Sequence, residues 1–526
     1  MNKILITVAA LILLYPVVAW LMGFAIEQRV ESLADQGQLI VPQLHLTQKT
    51  RQGVLTSDED SSYELGSTLK VTRHYHRGWY SSVDEASVEM SSTAFDALPA
   101  LRPAVATTLS GGSERTSFRF SLRTVIHHGP LCGSKCFALA GAETHASFTG
   151  LLRASLTRLF GNEEPITIRT RFAFFGGGSA TMSSPAFEHV QIGQDARFSW
   201  GGLDGTMHYG ARQDWYDIAA TAPSLRLDGA KGTLEIDGMS LDVRAKRALR
   251  TLYESDSRME LKRLSATGTD KARQFTVNDL LLASENHAQD RFMRASYQLG
   301  SGAVVTQPLT LSSAHVDLTW KHLGLDSLES LIAAMRAAGQ KQNASVPPAT
   351  RAQSMMAALK QPLEALLLEQ PEMDIDRVSV ATAQGQGLVT GVIRLVGVSA
   401  ADFEAPALLL RRLDVRLDLA IDEAFLSSLP GAGANALTQL QPMIDQGYFT
   451  RSNGALRTQI LFRGGQPTFN GKPFNPAAMR PAVPASPGGP PPPTLSAPPG
   501  SPAPPGRAMP SAKPPPVQPR TFAASY

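Results

Sequence analysis

The sequence predicts an α+β protein: an N-terminal transmembrane helix, a large and mostly antiparallel β-sheet domain with a few amphipathic helices, and a disordered Pro-rich C-terminal tail. Three observations predict this class. Ile4–Ile26 contains no charged residue. Short runs that alternate apolar and polar residues follow, as in antiparallel strands with one buried face. Residues 477–526 hold 17 of the 36 prolines of the chain.

The N-terminal helix is predicted from its length. Ile4–Ile26 has 23 residues, and about 20 apolar residues cross the hydrocarbon of a bilayer. Lys3 precedes the segment and Glu27 follows it, so the positive-inside rule places the N-terminus in the cytoplasm and the bulk of the chain outside. The alternative is a signal peptide cleaved near Gly23–Ala25, although the apolar regions of signal peptides usually have about 7–15 residues.

The strands are predicted from runs with period two that are separated by clusters of Gly, Asn, Asp and Ser. These runs are Ser67–Arg73, Ser87–Met90, Ser117–Val125, Ile166–Phe174, Ala196–Trp200, Thr206–Tyr209 and Thr233–Ile236. They predict a sheet with one apolar face.

A helical hairpin is predicted over residues 322–369, where leucines and methionines recur every three or four residues. Its apolar stripes fit either packing on the sheet or contact with lipid. The predicted domains are an anchor at residues 1–26, a β-rich domain at 27–475 with a sub-boundary near 310–345, and the tail at 476–526. The tail is predicted to have polyproline II character, as a spacer or a docking strip.

Composition excludes some partners and gives no cofactor. The net charge is +3, with 49 basic and 46 acidic residues scattered along the chain, so no strong field recruits nucleic acid. The sequence contains no HExxH, G-x-S-x-G or Walker motif. We therefore predict no catalytic residue, no cofactor and no metal, and expect that the protein is not an enzyme.

The two cysteines are Cys132 and Cys136. In an oxidising compartment such a pair is expected to form a small-loop disulfide. Free thiols and a metal site that includes His127 and His128 are the alternatives, although this spacing does not match the usual tetrahedral zinc pattern.

Four segments resemble the YdgA/YihF-like family of bacterial envelope proteins. They are Tyr15–Gly23 leading into Glu27, Arg73–Ser82, Ile126–Leu131, and Gln446–Phe449 followed by Gly464–Pro473. The positions that carry the resemblance are Gly78, Trp79, Ser81, Ser82, His128, Gly129, Pro130, Asn470 and Gly471.

The resemblance covers about residues 1–475. It implies a single-pass anchor in the bacterial inner membrane and a periplasmic, β-rich domain, with no established enzymatic activity. The Cys132–Cys136 pair and the Pro-rich tail depart from the family pattern.

The sequence fits three functions. The first is a non-enzymatic, membrane-tethered periplasmic protein that supports the envelope by presenting an apolar sheet face to phospholipid or another hydrophobic ligand; a fold-level likeness to AsmA-type envelope proteins favours it. The second is a scaffold for other envelope proteins or for reach toward the cell wall. The third is a hydrolase with a site around His127 and His128. An open apolar groove, a closed core with one exposed patch, and a pocket holding His127 would distinguish them.

Overall fold

The computed structural model describes residues 18–28, 45–53, 56–65, 69–91, 117–129, 138–148, 150–192, 196–230, 232–268, 274–307, 309–340, 348–430 and 433–474. Cys132, Cys136, Pro130 and the predicted tail at 476–526 lie outside these residues.

One antiparallel sheet dominates the structure, and it contains 26 strands within the described ranges. They are β1 (His45–Gln52), β2 (Ser57–Leu65), β3 (Leu69–Arg77), β4 (Ser81–Ser91), β5 (Ser117–His128), β6 (Ala140–Phe148), β7 (Thr167–Phe172), β8 (Gly178–Ser184), β9 (Phe187–Ile192), β10 (Ala196–Trp200), β11 (Leu203–Tyr209), β12 (Trp215–Gly229), β13 (Gly232–Arg247), β14 (Tyr253–Gly268), β15 (Phe275–Gln289), β16 (Phe292–Ser301), β17 (Val304–Thr306), β18 (Leu309–Leu311), β19 (Ser313–Gly324), β20 (Glu372–Thr382), β21 (Gly385–Leu395), β22 (Leu413–Asp422), β23 (Thr450–Ser452), β24 (Ala455–Arg463), β25 (Gln466–Phe469) and β26 (Lys472–Pro473).

The described helices lie beside this sheet. They are α1 (residues 18–28), α2 (Gly150–Phe160), α3 (Leu325–Gln340), α4 (Pro348–Leu368), α5 (Pro406–Arg412), α6 (Glu423–Ser428) and α7 (Gly433–Asp445), with 3₁₀ turns at Ala211–Gln213 and Ala400–Glu404. The segment predicted as a helical hairpin contains α3 and α4. Strands β19 and β20, which flank it, pair directly.

The strands follow one another in the sheet almost as they do in the chain. Strands β1 to β8 pair in order, β8 pairs with β11, β11 to β16 pair in order, β16 pairs with β19, and β19 to β22 continue to β24, β25 and β26. The shorter strands attach beside this row. Strand β10 pairs with β12 and β9 pairs with β10, β17 pairs with β15 and β18 pairs with β17, and β23 pairs with β24. With about 4.8 Å between neighbours, the row of 21 strands extends roughly 95 Å along the sheet.

Two apolar clusters lie at the same end of the strands. The first joins Ile26 of α1 to Tyr75, Ile126, Leu139, Ala140, Ala142 and Phe172. The second joins Leu325 of α3 to Leu252 and Met293, with Leu328 and Ile332 packed against them. Helices α1 and α3 are therefore held against this end of the sheet by buried side chains.

The antiparallel sheet agrees with the prediction, but the predicted transmembrane helix is wrong. No helix among the described residues is long and apolar enough to cross a membrane. The described part of Ile4–Ile26 belongs to α1, where Ala19 and Ile26 are fully buried by protein. Residues 4–17 lie outside the described structure. The physical reason is that Met22, Ala25 and Ile26 of α1 pack on protein, and that the helix continues into the buried charge of Glu27, which is 3% exposed.

Candidate functional site

The sheet carries an apolar row that crosses many strands. In this row, which runs from β13 to β22, each strand contributes one large apolar residue that pairs with the next in register. Paired residues of antiparallel strands point to the same face. The row consists of Leu241, Met259, Leu282, Leu299, Val316, Val378, Val389 and Leu419. We call the side of the sheet that carries this row the apolar face.

A second row on the apolar face lies two residues along the strands. It includes Tyr297, Leu318, Ile375, Leu417 and Ile460, which also follow one another in register, with Gly391 between Ile375 and Leu417. The shifts in β20 near Ile375 are β-bulges that keep both rows aligned.

The apolar face is open near the middle of the sheet. Leu282, Tyr297 and Leu299 are 41%, 47% and 45% exposed, and Trp320 on β19 is 36% exposed. Leucine is one of the residue types most often buried, and these leucines lie in central strands rather than at an edge. This face is therefore not a closed core.

The opposite face of the same strands is polar. Asp242, Arg258, Gln298, Asp317 and Arg377 occupy the positions next to the apolar row and, with Ala283 between Arg258 and Gln298, pair with one another across β13 to β20. The alternation of period two therefore separates a wet face from an apolar face.

Helices cover the apolar face only in places. Phe425 of α6 is 8% exposed and its ring lies where a Cβ on Gly387 of β21 would meet it at 3.4 Å. Gly387 is two residues from Val389, so α6 covers the edge of the apolar face on β21.

A buried polar cluster lies beneath α1, around Glu27. Ser57 Oγ donates to Glu27 Oε1 at 2.7 Å, and Arg77 Nε lies 3.1 Å from Oε2. Arg51 Nη2 lies 2.8 Å from Oε1. Arg77 is only 1% exposed and its guanidinium also stacks on Phe24, 3.6 Å from the ring centre. These contacts anchor the last turn of α1 to β1, β2 and β3.

A second chain of hydrogen bonds lies next to it. Tyr75 Oη donates to Ser82 Oγ at 2.9 Å, and Ser82 Oγ lies 2.7 Å from His128 Nε2. The tautomer of the imidazole sets which of Ser82 and His128 donates in the second contact. Burial lowers the pKa of His128 to about 4, and the charge of Arg77 acts in the same direction. Burial raises the pKa of Tyr75 to about 12. Both groups are therefore neutral at pH 7.

Ser82 and His128 have the contact of a nucleophile and a base, but not the surroundings of an active site. Ser82 is 0% exposed and His128 is 2% exposed. A Cβ on Gly23 would lie 2.9 Å from the ring of His128, so α1 covers the imidazole. The described residues place no carboxylate against that ring. His127 points to the other face of β5 and is exposed, so the two histidines do not share a site.

The other predicted positions of β3 to β5 shape the turns near α1. Gly78 N donates to Ser81 O at 2.9 Å, and a Cβ on Gly78 would meet that oxygen at 2.8 Å. The ring of Trp79 lies 6.2 Å from the ring of Trp20 on α1. Gly129 has φ of 102° and donates to Leu139 O at 3.1 Å. Gly78, Trp79, Ser81, Ser82, His128 and Gly129 are thus brought together around α1.

Asn470 and Gly471 lie apart from that group and form the turn between β25 and β26. Their φ angles are 48° and 76°, as expected for an Asn-Gly hairpin turn. Asn470 Oδ1 accepts from Gln459 N at 2.9 Å, and its Nδ2 donates to Tyr448 O at 3.0 Å. This turn fastens the C-terminal hairpin to the segment after α7.

Sequence reasoning did not single out the polar cluster or the extent of the apolar face. One signal for the cluster was present in the sequence. Arg77 is two residues from Tyr75, so a charged side chain shares a face of β3 with an aromatic one. The apolar rows depend on strand register, which no single segment reveals.

The family follows from comparison of the whole chain. Residues 1–477 match DUF945, which is described as a bacterial protein of unknown function. The chain belongs to this family. The match includes α1 and extends past the end of β26, so all the geometry described above lies within the DUF945 region. No curated protein and no solved structure matches the chain.

Proposed function

We propose that this DUF945 protein is a non-enzymatic protein of the bacterial envelope that binds lipid or another hydrophobic ligand along the apolar face of its sheet. The observation that carries the proposal is the row from Leu241 to Leu419, with Leu282 and Leu299 more than 40% exposed near its centre. A long, narrow, apolar strip is complementary to hydrocarbon chains rather than to a compact polar metabolite.

Burial of apolar surface supplies the binding energy in this proposal. Covering roughly 300 Å² of the strip would contribute on the order of 7 kcal/mol, before the entropy that association costs. Because the opposite face of the sheet carries the charges, a hydrocarbon chain can bind on the apolar face alone.

The cellular setting is part of the proposal. The resemblance of the segments around Arg73–Ser82, Ile126–Leu131 and Gly464–Pro473 to YdgA/YihF-like proteins supports a location at the periplasmic side of the inner membrane. Assignment to the YdgA/YihF-like group is part of the proposal as well. It is supported by the way Gly78, Trp79, Ser82 and His128, which carry the resemblance, surround α1.

The test is native mass spectrometry of the full chain, purified from bacterial membranes in mild detergent. The double variant Tyr297→Asp/Leu299→Asp places two carboxylates in the apolar rows on β16. We expect it to lose co-purified lipid by about tenfold or more, since desolvating a carboxylate costs more than 1.4 kcal/mol.

The matched control is Gln298→Asp, which adds a carboxylate to the same strand on the polar face, where the residue is exposed. This variant is expected to keep its lipid. Wild-type protein without bound lipid, or equal loss in the control, would contradict the proposal. In that case crosslinking for a protein partner becomes the next experiment, since a scaffold is the alternative.

A further inference from the structure

One end of the sheet exposes aromatic side chains at three turns. Trp79 and Tyr80 lie between β3 and β4 and are 43% and 52% exposed. Phe175 lies between β7 and β8 and is 99% exposed, and Trp215 begins β12 and is 39% exposed. A phenylalanine that is almost wholly in water has no packing role in the described structure.

Helix α1 joins these turns into one surface. Its side chains Val18 and Leu21 are 37% and 56% exposed. On one side, Trp20 contacts Trp79. On the other side, Phe174 packs on the cluster that contains Ile26. We call Val18, Leu21, Trp79, Tyr80, Phe175 and Trp215 the aromatic rim.

The turns of the rim are held in position by close backbone packing. Gly176 and Gly177 have φ of 100° and 69°, values that favour glycine. A Cβ on Gly176 would lie 2.6 Å from Cβ of Ala211, in the turn that precedes Trp215. The turns that carry Phe175 and Trp215 therefore touch, and Phe175 projects from a fixed base.

Exposed apolar side chains are concentrated at this end. Of the 21 large hydrophobic residues that are exposed in the described part of the chain, 14 belong to α1, to the turns of the rim, or to α3, α4, α5 and the segment after β21. All of these elements except α1, which packs against this end, connect strands there. Single exposed apolar residues are usual on proteins, whereas concentration on one side marks an interaction surface.

The composition of the rim and the chain that leads into it indicate the partner. Tryptophan and tyrosine have amphipathic rings that suit the boundary between hydrocarbon and water. Residues 4–17, outside the described structure, contain no charged residue and precede Val18 of the rim in the sequence. We propose that the aromatic rim rests on the surface of a lipid bilayer, with Phe175 and Trp79 inserted below the headgroups.

This inference uses no residue of the β16 rows, so it and the proposed function can fail separately. Loss of co-purified lipid tests the apolar face. Contact of the rim with a bilayer needs a measurement of depth at single positions, because residues 4–17 could bring the chain to vesicles by themselves.

The experiment places a fluorescent label at Tyr80→Cys or Phe175→Cys in the full chain, in a Cys132→Ser/Cys136→Ser background. The chain is reconstituted in vesicles of phosphatidylethanolamine and phosphatidylglycerol that contain a quencher on the acyl chains. Leu46→Cys and Ile166→Cys are matched controls, since these residues are 42% and 37% exposed at the other end of the strands.

Quenching of the rim labels about threefold greater than that of the controls is the expected result, since interfacial side chains lie within reach of the acyl chains. Equal quenching of rim and control labels overturns the proposal. So does the absence of quenching at the rim labels, which is the result expected if protein or a second copy covers the rim. If the cysteine-free background does not fold, brominated lipid should quench the tryptophan emission of wild type, and Trp79→Phe should reduce that quenching more than Trp200→Phe. No such difference would also overturn the proposal.

Discussion

At the residue scale, Gly23 and His128 fix how closely α1 approaches the sheet. The ring of His128 lies 2.9 Å from where a Cβ on Gly23 would be, and Ser82 holds the ring in place. Any side chain at position 23 would have to displace a buried, hydrogen-bonded ring. Gly23 on α1 and the buried ring of His128 on β5 therefore pack as one unit.

The titration of His128 gives a prediction about acid. Its pKa is about 4 in the folded protein, against an ordinary value of 6.5, because of burial. Below pH 6.5 the unfolded chain binds a proton that the folded chain does not, so stability is lost as the pH falls from 6.5 to 4. The difference of about 2.5 pKa units corresponds to about 3 kcal/mol of unfolding free energy.

Urea unfolding at pH 7, 5.5 and 4 measures this loss. His128→Gln removes the titration of the imidazole. The carboxylates contribute equally to the pH dependence of the wild type and of the variant. We expect wild type to lose about 3 kcal/mol more than the variant between pH 7 and pH 4. Parallel pH profiles for the two proteins would show that His128 does not titrate in this way.

At the element scale, α1 shows what the sequence predicts and what it does not. An uncharged apolar stretch is expected both for a helix in lipid and for a helix against protein. The distinction depends on Arg77, which is distant in sequence and meets Glu27 only after folding. The strands were predictable, because period two is a local signal, whereas the partner of α1 was not.

The turn between β25 and β26 provides a prediction with an internal control. Asn470→Ala loses two side-chain hydrogen bonds, to Gln459 and Tyr448, and places alanine at a φ of 48°. Asn453, in the turn between β23 and β24, has a φ of 52° and is exposed, and makes no side-chain hydrogen bond to the described residues. Asn453→Ala therefore loses only the preference for the left-handed backbone.

We expect Asn470→Ala to lower the free energy of unfolding by about 1–3 kcal/mol more than Asn453→Ala, since each of its two partly buried hydrogen bonds contributes about 1 kcal/mol. Chemical denaturation of the two variants gives the difference directly. Equal losses would mean that the Asn470 amide does not fasten the C-terminal hairpin.

At the scale of the whole molecule, the apolar face arises from many registers acting together. Each strand contributes one or two side chains to a row, such as Leu282 or Leu299, and a slip of one residue would turn them to the polar face. The sequence predicts that such a face exists, because single strands alternate. It does not predict that the rows continue from β13 to β22, since that depends on turns and bulges between strands.

Binding along such a face should have the thermodynamics of apolar burial. We expect titration calorimetry of the full chain with a soluble long-chain fatty acid to give a negative heat-capacity change. The affinity should change by less than about twofold when salt is raised to about 1 M, because no charge pair supplies the energy. A short-chain acid with the same carboxylate serves as the control and should not bind. Steep salt dependence would point instead to recognition of the carboxylate.

The order of the strands also has a consequence for the growth of the sheet. Because almost every strand pairs with the one made just before it, the sheet can lengthen hairpin by hairpin while synthesis continues, with little entropy lost in closing long loops. Helix α1 is the exception. Ile26 is made early, but Phe172 of the same buried cluster follows 146 residues later, so the helix has to wait through the synthesis of seven strands before its binding surface is complete.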